Sequence, residues 1–138
     1  MVSNEELERV RSLFQNDRFA TEAGAVIDEI GDHYAKVSLS LNEHHKNAAG
    51  GIMGGVYFTL ADFAFAVASN WQQIGTVSIN TDISFVGVPK TERIIAETKL
   101  IKDGRTTCCY NVNVSDELGN PVAALKFLGY KKNKNLFS

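Results

Sequence analysis

The segment from about Met53 to Asn70 constrains the fold more than any other part of the chain. Between residues 54 and 68 the side chains are aromatic, aliphatic or small, and Asp62 is the one charged group among them. The run is too long for an ordinary strand and therefore predicts a helix, at about 53–70. A helix that is apolar on nearly all sides has to be buried on nearly all sides. This favours a curved sheet wrapped around a single central helix.

The same segment does not fit a membrane span, because it is shorter than the roughly 20 residues that a bilayer requires and it carries a carboxylate. The chain has 138 residues, of which 44% are hydrophobic and 22% are charged. These values are typical of one globular domain, which we expect to cover residues 1–138. The net charge of −2 creates no basic field, so we expect neither nucleic acid nor a membrane as a partner.

Two features favour a cytoplasmic protein. The two cysteines, Cys108 and Cys109, are adjacent, and neighbouring strand residues point to opposite faces, so a disulfide between them would be strained. The first ten residues lack the basic region and apolar core of a signal peptide.

The rest of the chain predicts one further helix and six strands. Ser3 and Glu6 form a capping-box pair ahead of an apolar stripe, which indicates a helix over 4–16. Runs with strand patterning predict strands at 24–30, 34–41, 76–88, 93–101, 105–114 and 121–132. Strands joined by short turns favour an antiparallel sheet and the α+β class. Within 76–88 we expect two faces, with Val77, Ile79, Ile83 and Phe85 on one and Ser78, Asn80, Asp82 and Ser84 on the other.

Several residues occur in an order that matches a known family. Asn47, Gly50, the pair Gly54-Gly55 and "LAD" ending at Asp62 are followed by "TVSINTDISFVGVP" and by Gly104-Arg105. Together they resemble the hotdog-fold thioesterases of the phenylacetic-acid (PaaI-like) type, over roughly residues 17–132. The resemblance implies an antiparallel sheet around one long helix, and hydrolysis of acyl-coenzyme A thioesters without a metal or other cofactor. It also implies homodimers that extend the sheet, often paired into homotetramers.

One residue departs from the family pattern. The family usually has histidine directly before the two glycines, whereas this chain has Met53, which cannot donate a strong hydrogen bond or carry a proton. His44 and His45 come too early in the sequence to replace it. They are adjacent and have poor spacing for a shared metal ion, so we expect both to be exposed and no metal to be bound.

Asp62 is the candidate catalytic residue. An aspartate in a helix often just reaches solvent, but an unpaired carboxylate in apolar surroundings is costly and usually has a partner or a task. It would attack the thioester carbonyl directly or deprotonate a water that does, and the sequence leaves both open. Gly54 and Gly55 either allow close packing or present unpaired first-turn amides that stabilise a developing oxyanion, with Gly54 as the main donor.

The spacing of these two groups predicts how they are combined. Gly54 and Asp62 are eight positions apart, which is about 12 Å along one helix. One carbonyl group cannot touch both. If both act on it, they come from different chains, so the spacing favours an active site shared across a dimer.

The remaining candidates each have a structural and a functional interpretation. By resemblance, Asn47 orients the water or the carbonyl, although turning the loop is the alternative. By resemblance, Ser78 holds the attacking water or Asp62, although simply lying on the polar face of its strand is the alternative. Met53, Gly55 and Phe58 would line the substrate site. Arg105 would contact the phosphates of coenzyme A, or simply follow a hairpin. A lysine-bearing end, Lys131, Lys132 and Lys134, either solubilises the terminus or contacts phosphate.

Two other functions compete with thioester hydrolysis. A module that binds acyl-CoA without turnover would be consistent with Met53 in place of histidine. A hotdog dehydratase is less favoured, because that chemistry normally requires a histidine paired with an acid and the predicted helix contains no histidine.

Overall fold

The computed structural model describes residues 2–132, and Lys134 lies outside this range. It contains three α-helices and six β-strands. The helices are α1 (Asn4–Phe14), α2 (Arg18–Ala23) and α3 (Gly54–Asn70), and the strands are β1 (Val26–Gly31), β2 (Tyr34–Ser40), β3 (Thr76–Phe85), β4 (Arg93–Asp103), β5 (Thr107–Asp116) and β6 (Pro121–Lys131).

The six strands form one antiparallel sheet in the order β1-β2-β4-β5-β6-β3. Helix α3 packs against this sheet and supplies much of the buried core. Phe65 of α3 stacks on Phe127 of β6 with ring centroids 4.7 Å apart, and Phe63 meets Phe14 of α1 edge-on at 6.5 Å. The prediction of a long apolar helix wrapped by an antiparallel sheet, the hotdog fold, is therefore confirmed.

The N-terminal region contains a helix that the sequence analysis missed. Helix α1 begins as expected, with the Ser3 hydroxyl accepting a hydrogen bond from the Glu6 amide at 3.2 Å, but it ends at Phe14 rather than at residue 16. After a turn the chain forms α2, which ends at Gly24 with a left-handed φ of 114°. Glycine adopts this conformation without the usual steric cost. The first strand consequently starts at Val26, later than predicted.

The predicted faces of β3 are wrong because the strand contains a β-bulge. The register with β6 shifts between Ser78 and Asn80, and an extra residue reverses the alternation of side chains beyond it. Ser78 pairs with Gly129 and Ile83 pairs with Leu125, both on the buried side of β6. Ser78 therefore shares the α3-facing side of the sheet with Ile83, whereas Val77 lies on the opposite side.

The prediction that both loop histidines are exposed is wrong for His45. Its side chain is buried, with Nδ1 accepting a hydrogen bond from the Asn42 amide at 2.9 Å. Its Nε2 lies 2.7 Å from the carbonyl oxygen of Ala23, to which it donates. His45 thereby ties the end of α2 to the loop before α3. His44 is exposed, as expected.

Candidate active site

The start of α3 carries backbone amides without a partner. Met53 is the N-cap residue, in an extended conformation, and its amide donates to the carbonyl oxygen of His45 at 2.9 Å. The Gly54 and Gly55 amides form no hydrogen bond to any acceptor within residues 2–132. The Met53 side chain is 53% exposed and makes no capping bond. Two donors at the positive end of a 17-residue helix are therefore available to an oxygen atom from outside the chain.

The loop before α3 is organised by Asn47. Its side-chain oxygen accepts hydrogen bonds from the backbone amides of Ala49 and Gly51, both at 3.0 Å. The backbone N–H of Asn47 donates to the carbonyl oxygen of Gly51 at 2.7 Å. Gly50, with a φ of 89°, allows the tight reversal. These bonds account for Asn47 as a turn residue. Its part in a reaction remains a prediction.

The first residue of α3 is held against β3. A Cβ atom at Gly54 would lie 2.9 Å from Cε1 of Phe85, which is closer than real side-chain contacts allow. Phe85 also packs on Tyr57, with ring centroids 6.4 Å apart. The absence of a side chain at Gly54 thus brings an aromatic ring from the end of β3 next to the unpaired amides.

Asp62 lies on the one face of α3 that the sheet does not cover. Its carboxylate is partly buried and has no hydrogen bond or ion pair with another group in residues 2–132. Burial raises its pKa above the usual range, and the negative charge of Asp17 raises it further. The group lines a cavity of about 460 Å³ together with Asp17, Arg18, Phe19, Ala20, Phe58, Thr59 and Phe63. An unpartnered, partly desolvated carboxylate of this kind has an increased affinity for protons.

The uncovered face of α3 forms a continuous stripe. Its positions follow helical spacing of four, three, four and three residues, and none of them is fully buried: Gly55, Thr59, Asp62, Ala66 and Ser69. Strand β3 lies at the edge of the sheet, paired with β6 alone, and most of its residues are exposed. The stripe and the edge strand together leave a large surface of one chain without a covering element.

The structure brings some of the predicted residues together and separates others. Asp62 and Phe58 share one cavity, and Ser78 lies on the α3-facing side of the edge strand. Gly54 and Asp62 both belong to α3, about 12 Å apart along the helix. Within one chain they do not form a single site.

Arg105 lies elsewhere, at the rim of a larger cavity near the end of α3. This cavity of about 640 Å³ is lined by Arg105, Ser69, Thr76, Lys131 and Lys132 among others. The Lys131 amine pairs with Asp103 and donates to the carbonyl oxygen of Gly104 at 2.6 Å. The guanidinium of Arg105 is exposed. Arg105, Lys131 and Lys132 thus give this cavity positive charge. It lies beside Ser69, seven positions after Asp62 on α3.

The sequence analysis missed two residues in the Asp62 cavity, Asp17 and Phe19. Both belong to the α1–α2 turn and α2, a region interpreted as the end of one helix and the approach to a strand. A six-residue helix has too few residues for a clear apolar period. Phe19 is 82% exposed, and an isolated exposed phenylalanine has no distinguishing pattern in sequence.

Among residues 2–132 no helix has the length and apolarity that crossing a bilayer requires. The same residues hold no group of three or more histidine, cysteine, aspartate or glutamate side chains arranged around a possible metal position.

The sequence and the fold have counterparts among known proteins. The sequence pattern of the thioesterase superfamily matches residues 49–123, and a protein of Archaeoglobus fulgidus named "Putative esterase" is 32% identical over 131 residues, 94% of this chain and 85% of that one. The chain belongs to the thioesterase superfamily. It is accordingly an enzyme of the thioester hydrolase class, and its hotdog fold is of the PaaI type.

Two further proteins resemble this chain. The acyl-coenzyme A thioesterase PaaI of Escherichia coli is 24% identical over 126 residues, 91% of this chain and 90% of that one. Its structure superposes with a TM-score of 0.86 over 96% of this chain and 97% of that chain, at 22% identity. A protein of Streptococcus pneumoniae described as a "Hypothetical Thioesterase Protein", solved with coenzyme A, superposes with a TM-score of 0.79 at 20% identity, covering 87% of this chain and 97% of that one.

Proposed function

We propose that the protein is an acyl-CoA thioesterase whose active sites are shared between the two protomers of a homodimer. The observation that carries this proposal is the arrangement on α3, where an unpartnered carboxylate at Asp62 follows two unpaired amides at Gly54 and Gly55. Because these groups are about 12 Å apart in one chain, one carbonyl can reach both only if the second group comes from a partner.

In the proposed reaction Asp62 activates the attack on the thioester. As a general base it takes a proton from water, the hydroxide adds to the carbonyl carbon, and the tetrahedral intermediate expels the thiolate of coenzyme A. As a nucleophile it displaces the thiolate of coenzyme A and forms a mixed anhydride, which water then hydrolyses to the free acid and the original Asp62 carboxylate. In either route the carbonyl oxygen becomes an oxyanion, which the amide of Gly54 from the other protomer stabilises, assisted by Gly55 and the helix dipole.

The exposed edge of the sheet supports the dimer. Strand β3 spans ten residues and pairs on one side only, and such an edge is a template for pairing with another chain. Ile79 is 55% exposed and Phe85 57%, so joining two β3 strands would cover apolar surface as well as backbone groups. The α3 stripes of the two chains would then be covered too. Pairing of two dimers into a tetramer is the further expectation from the family.

The other predicted residues take supporting roles in this proposal. Asn47 and Ser78 orient the attacking water or the carbonyl, and Phe58 and Met53 contact the acyl side of the substrate. Arg105 contacts the phosphates of coenzyme A, which is supported by the positive charge around the larger cavity. A relative that was solved with coenzyme A supports this class of substrate.

A pair of substitutions at Gly54 tests the oxyanion donor directly. Gly54→Pro removes the amide N–H, and proline is tolerated at the first position of a helix, where the preceding Met53 already has an extended conformation. Gly54→Ala adds a Cβ against Phe85 but keeps the N–H, so it is the matched control. We expect kcat against a panel of acyl-CoAs to fall roughly 10²–10³-fold more in the proline variant than in the alanine variant.

Mixing two inactive variants tests whether the site is shared. In a heterodimer of Gly54→Pro and Asp62→Asn, one site would carry both substitutions and the other would carry neither. Random mixing of protomers should therefore restore about a quarter of wild-type activity. If the mixture stays as inactive as its components, or if the active protein is a monomer by light scattering, the shared site is wrong. Binding of every acyl-CoA in the panel without turnover would contradict acyl-CoA hydrolysis itself.

A further inference from the structure

Asp17 lies in the same cavity as Asp62 without a structural task of its own. It is the N-cap residue of α2, but its side chain accepts no capping hydrogen bond, although capping is the usual reason for aspartate at this position. Both carboxylates line the cavity of about 460 Å³ between α2 and α3. The proposed mechanism makes no use of Asp17.

The groups around the two carboxylates do not neutralise them. Most of the cavity wall is apolar and comes from Phe19, Phe58 and Phe63. Arg18 is the one cation that lines it among the described residues, and its guanidinium pairs with Glu22 one turn further along α2. Helix α3 contributes Asp62 as its only charged side chain. Two like charges in such surroundings repel each other, and ionisation of one makes ionisation of the second less favourable.

We propose that Asp17 is a positioning residue for the reaction, which acts through Asp62 by making the second ionisation of the carboxylate pair harder. Asp17 need not touch the substrate for this. Its charge keeps Asp62 a stronger base and sets the pH above which Asp62 can accept a proton. This inference rests on the proposed function of Asp62 as the reacting carboxylate.

The direction of the effect follows from the charges. Burial comes first and the charge of Asp17 second among the causes that raise the pKa of Asp62, and burial also raises the pKa of Asp17. Removing the charge at position 17 lets Asp62 ionise at lower pH. The acidic limb of kcat/KM, which reports ionisation of the base in the free enzyme, then moves to lower pH.

The test compares Asp17→Asn with Asp17→Glu in the intact protein. Asparagine is as good an N-cap residue as aspartate, so α2 is kept while the charge is lost, and glutamate keeps the charge. Glu5→Gln, which removes one negative charge from the exposed first turn of α1, is the matched control. We expect the acidic limb of kcat/KM to move to lower pH in Asp17→Asn and to stay in place in Asp17→Glu and Glu5→Gln. For a shift of about one pH unit, kcat/KM measured below the limb rises roughly tenfold.

A carbon-13 NMR titration of the Asp62 carboxyl group gives a second readout that does not depend on turnover. A lower midpoint in Asp17→Asn, together with the shifted limb, supports the inference. An unchanged midpoint overturns it. If the midpoint falls but the limb does not move, the activity of Asp62→Asn decides between two readings. An Asp62→Asn variant as active as wild type overturns both the role of Asp17 and the mechanism proposed above, whereas a defective Asp62→Asn variant overturns the role of Asp17 alone.

Discussion

Replacing Asp62 by asparagine is expected to abolish activity while making the protein more stable. Asparagine keeps the size of the side chain and removes its charge. In the structure this charge is partly buried, has no hydrogen bond or ion pair within residues 2–132, and lies near a second carboxylate. A buried polar group without a partner costs about 1–3 kcal/mol. Because Asp62 is only partly buried and the asparagine amide is itself polar, we expect Asp62→Asn to raise the free energy of unfolding by the lower end of this range, about 1 kcal/mol.

The pH dependence identifies the cause of this gain. The pKa of Asp62 is raised in the folded protein, so the folded state holds its proton to higher pH than the unfolded state does. Below the ordinary aspartate pKa of about 4 both states are protonated, and the two proteins should differ little in stability. As pH rises through the raised pKa, the folded wild type accumulates the cost of the charge. The advantage of Asp62→Asn should therefore be complete at neutral pH and absent in acid.

The assay is thermal and urea unfolding at fixed protein concentration, combined with steady-state kinetics on acyl-CoA substrates. We expect the melting temperature at neutral pH to rise by about 3–5 °C, with kcat/KM falling roughly 10²–10⁴-fold. Asp82→Asn, at an exposed position of β3, is the control and should not gain stability. A variant that is less stable at neutral pH, or whose gain persists at low pH, would refute the argument that Asp62 is an unpartnered charge.

Four further predictions concern packing, acid stability and the substrate. Gly129→Ala places a Cβ 2.7 Å from the Cys108 sulfur in the core, so urea unfolding should show a loss of about 1–3 kcal/mol. Burial raises the pKa of Asp116, but hydrogen bonds from Asn120 and from backbone amides lower it to about 2. The ionised carboxylate should therefore stabilise the fold above about pH 4, and this contribution to the free energy of unfolding should disappear between about pH 4 and 2. Asp116→Asn should not show this loss of stability in acid. Arg105→Ala should raise KM for acyl-CoA but not for the acyl-pantetheine thioester, which has no phosphate. Met53→His, at an exposed helix start, should raise kcat by several-fold with little change in melting temperature, and an unchanged kcat would count against a histidine contribution.

Much of the chemistry was visible in the linear order of residues. A helix that is apolar on nearly all sides required burial by a sheet over most of its surface, because only one narrow stripe of it carries polar side chains. The fixed rise of an α-helix sets the separation of Gly54 and Asp62 from their sequence spacing alone. These inferences depend on local geometry and on hydrophobicity, which the sequence specifies directly.

Other features were decided only by tertiary contacts. The bulge in β3 places Ser78 on the side of α3, because strand register depends on the partner strand rather than on the strand's own pattern. His45 is buried because its two ring nitrogens find partners in Asn42 and Ala23, which lie on different segments. Asp17 lines the same cavity as Asp62 for the same reason, since the short helix α2 packs against α3. Long-range neighbours set register, burial and charge environment, and one residue's sequence context does not contain them.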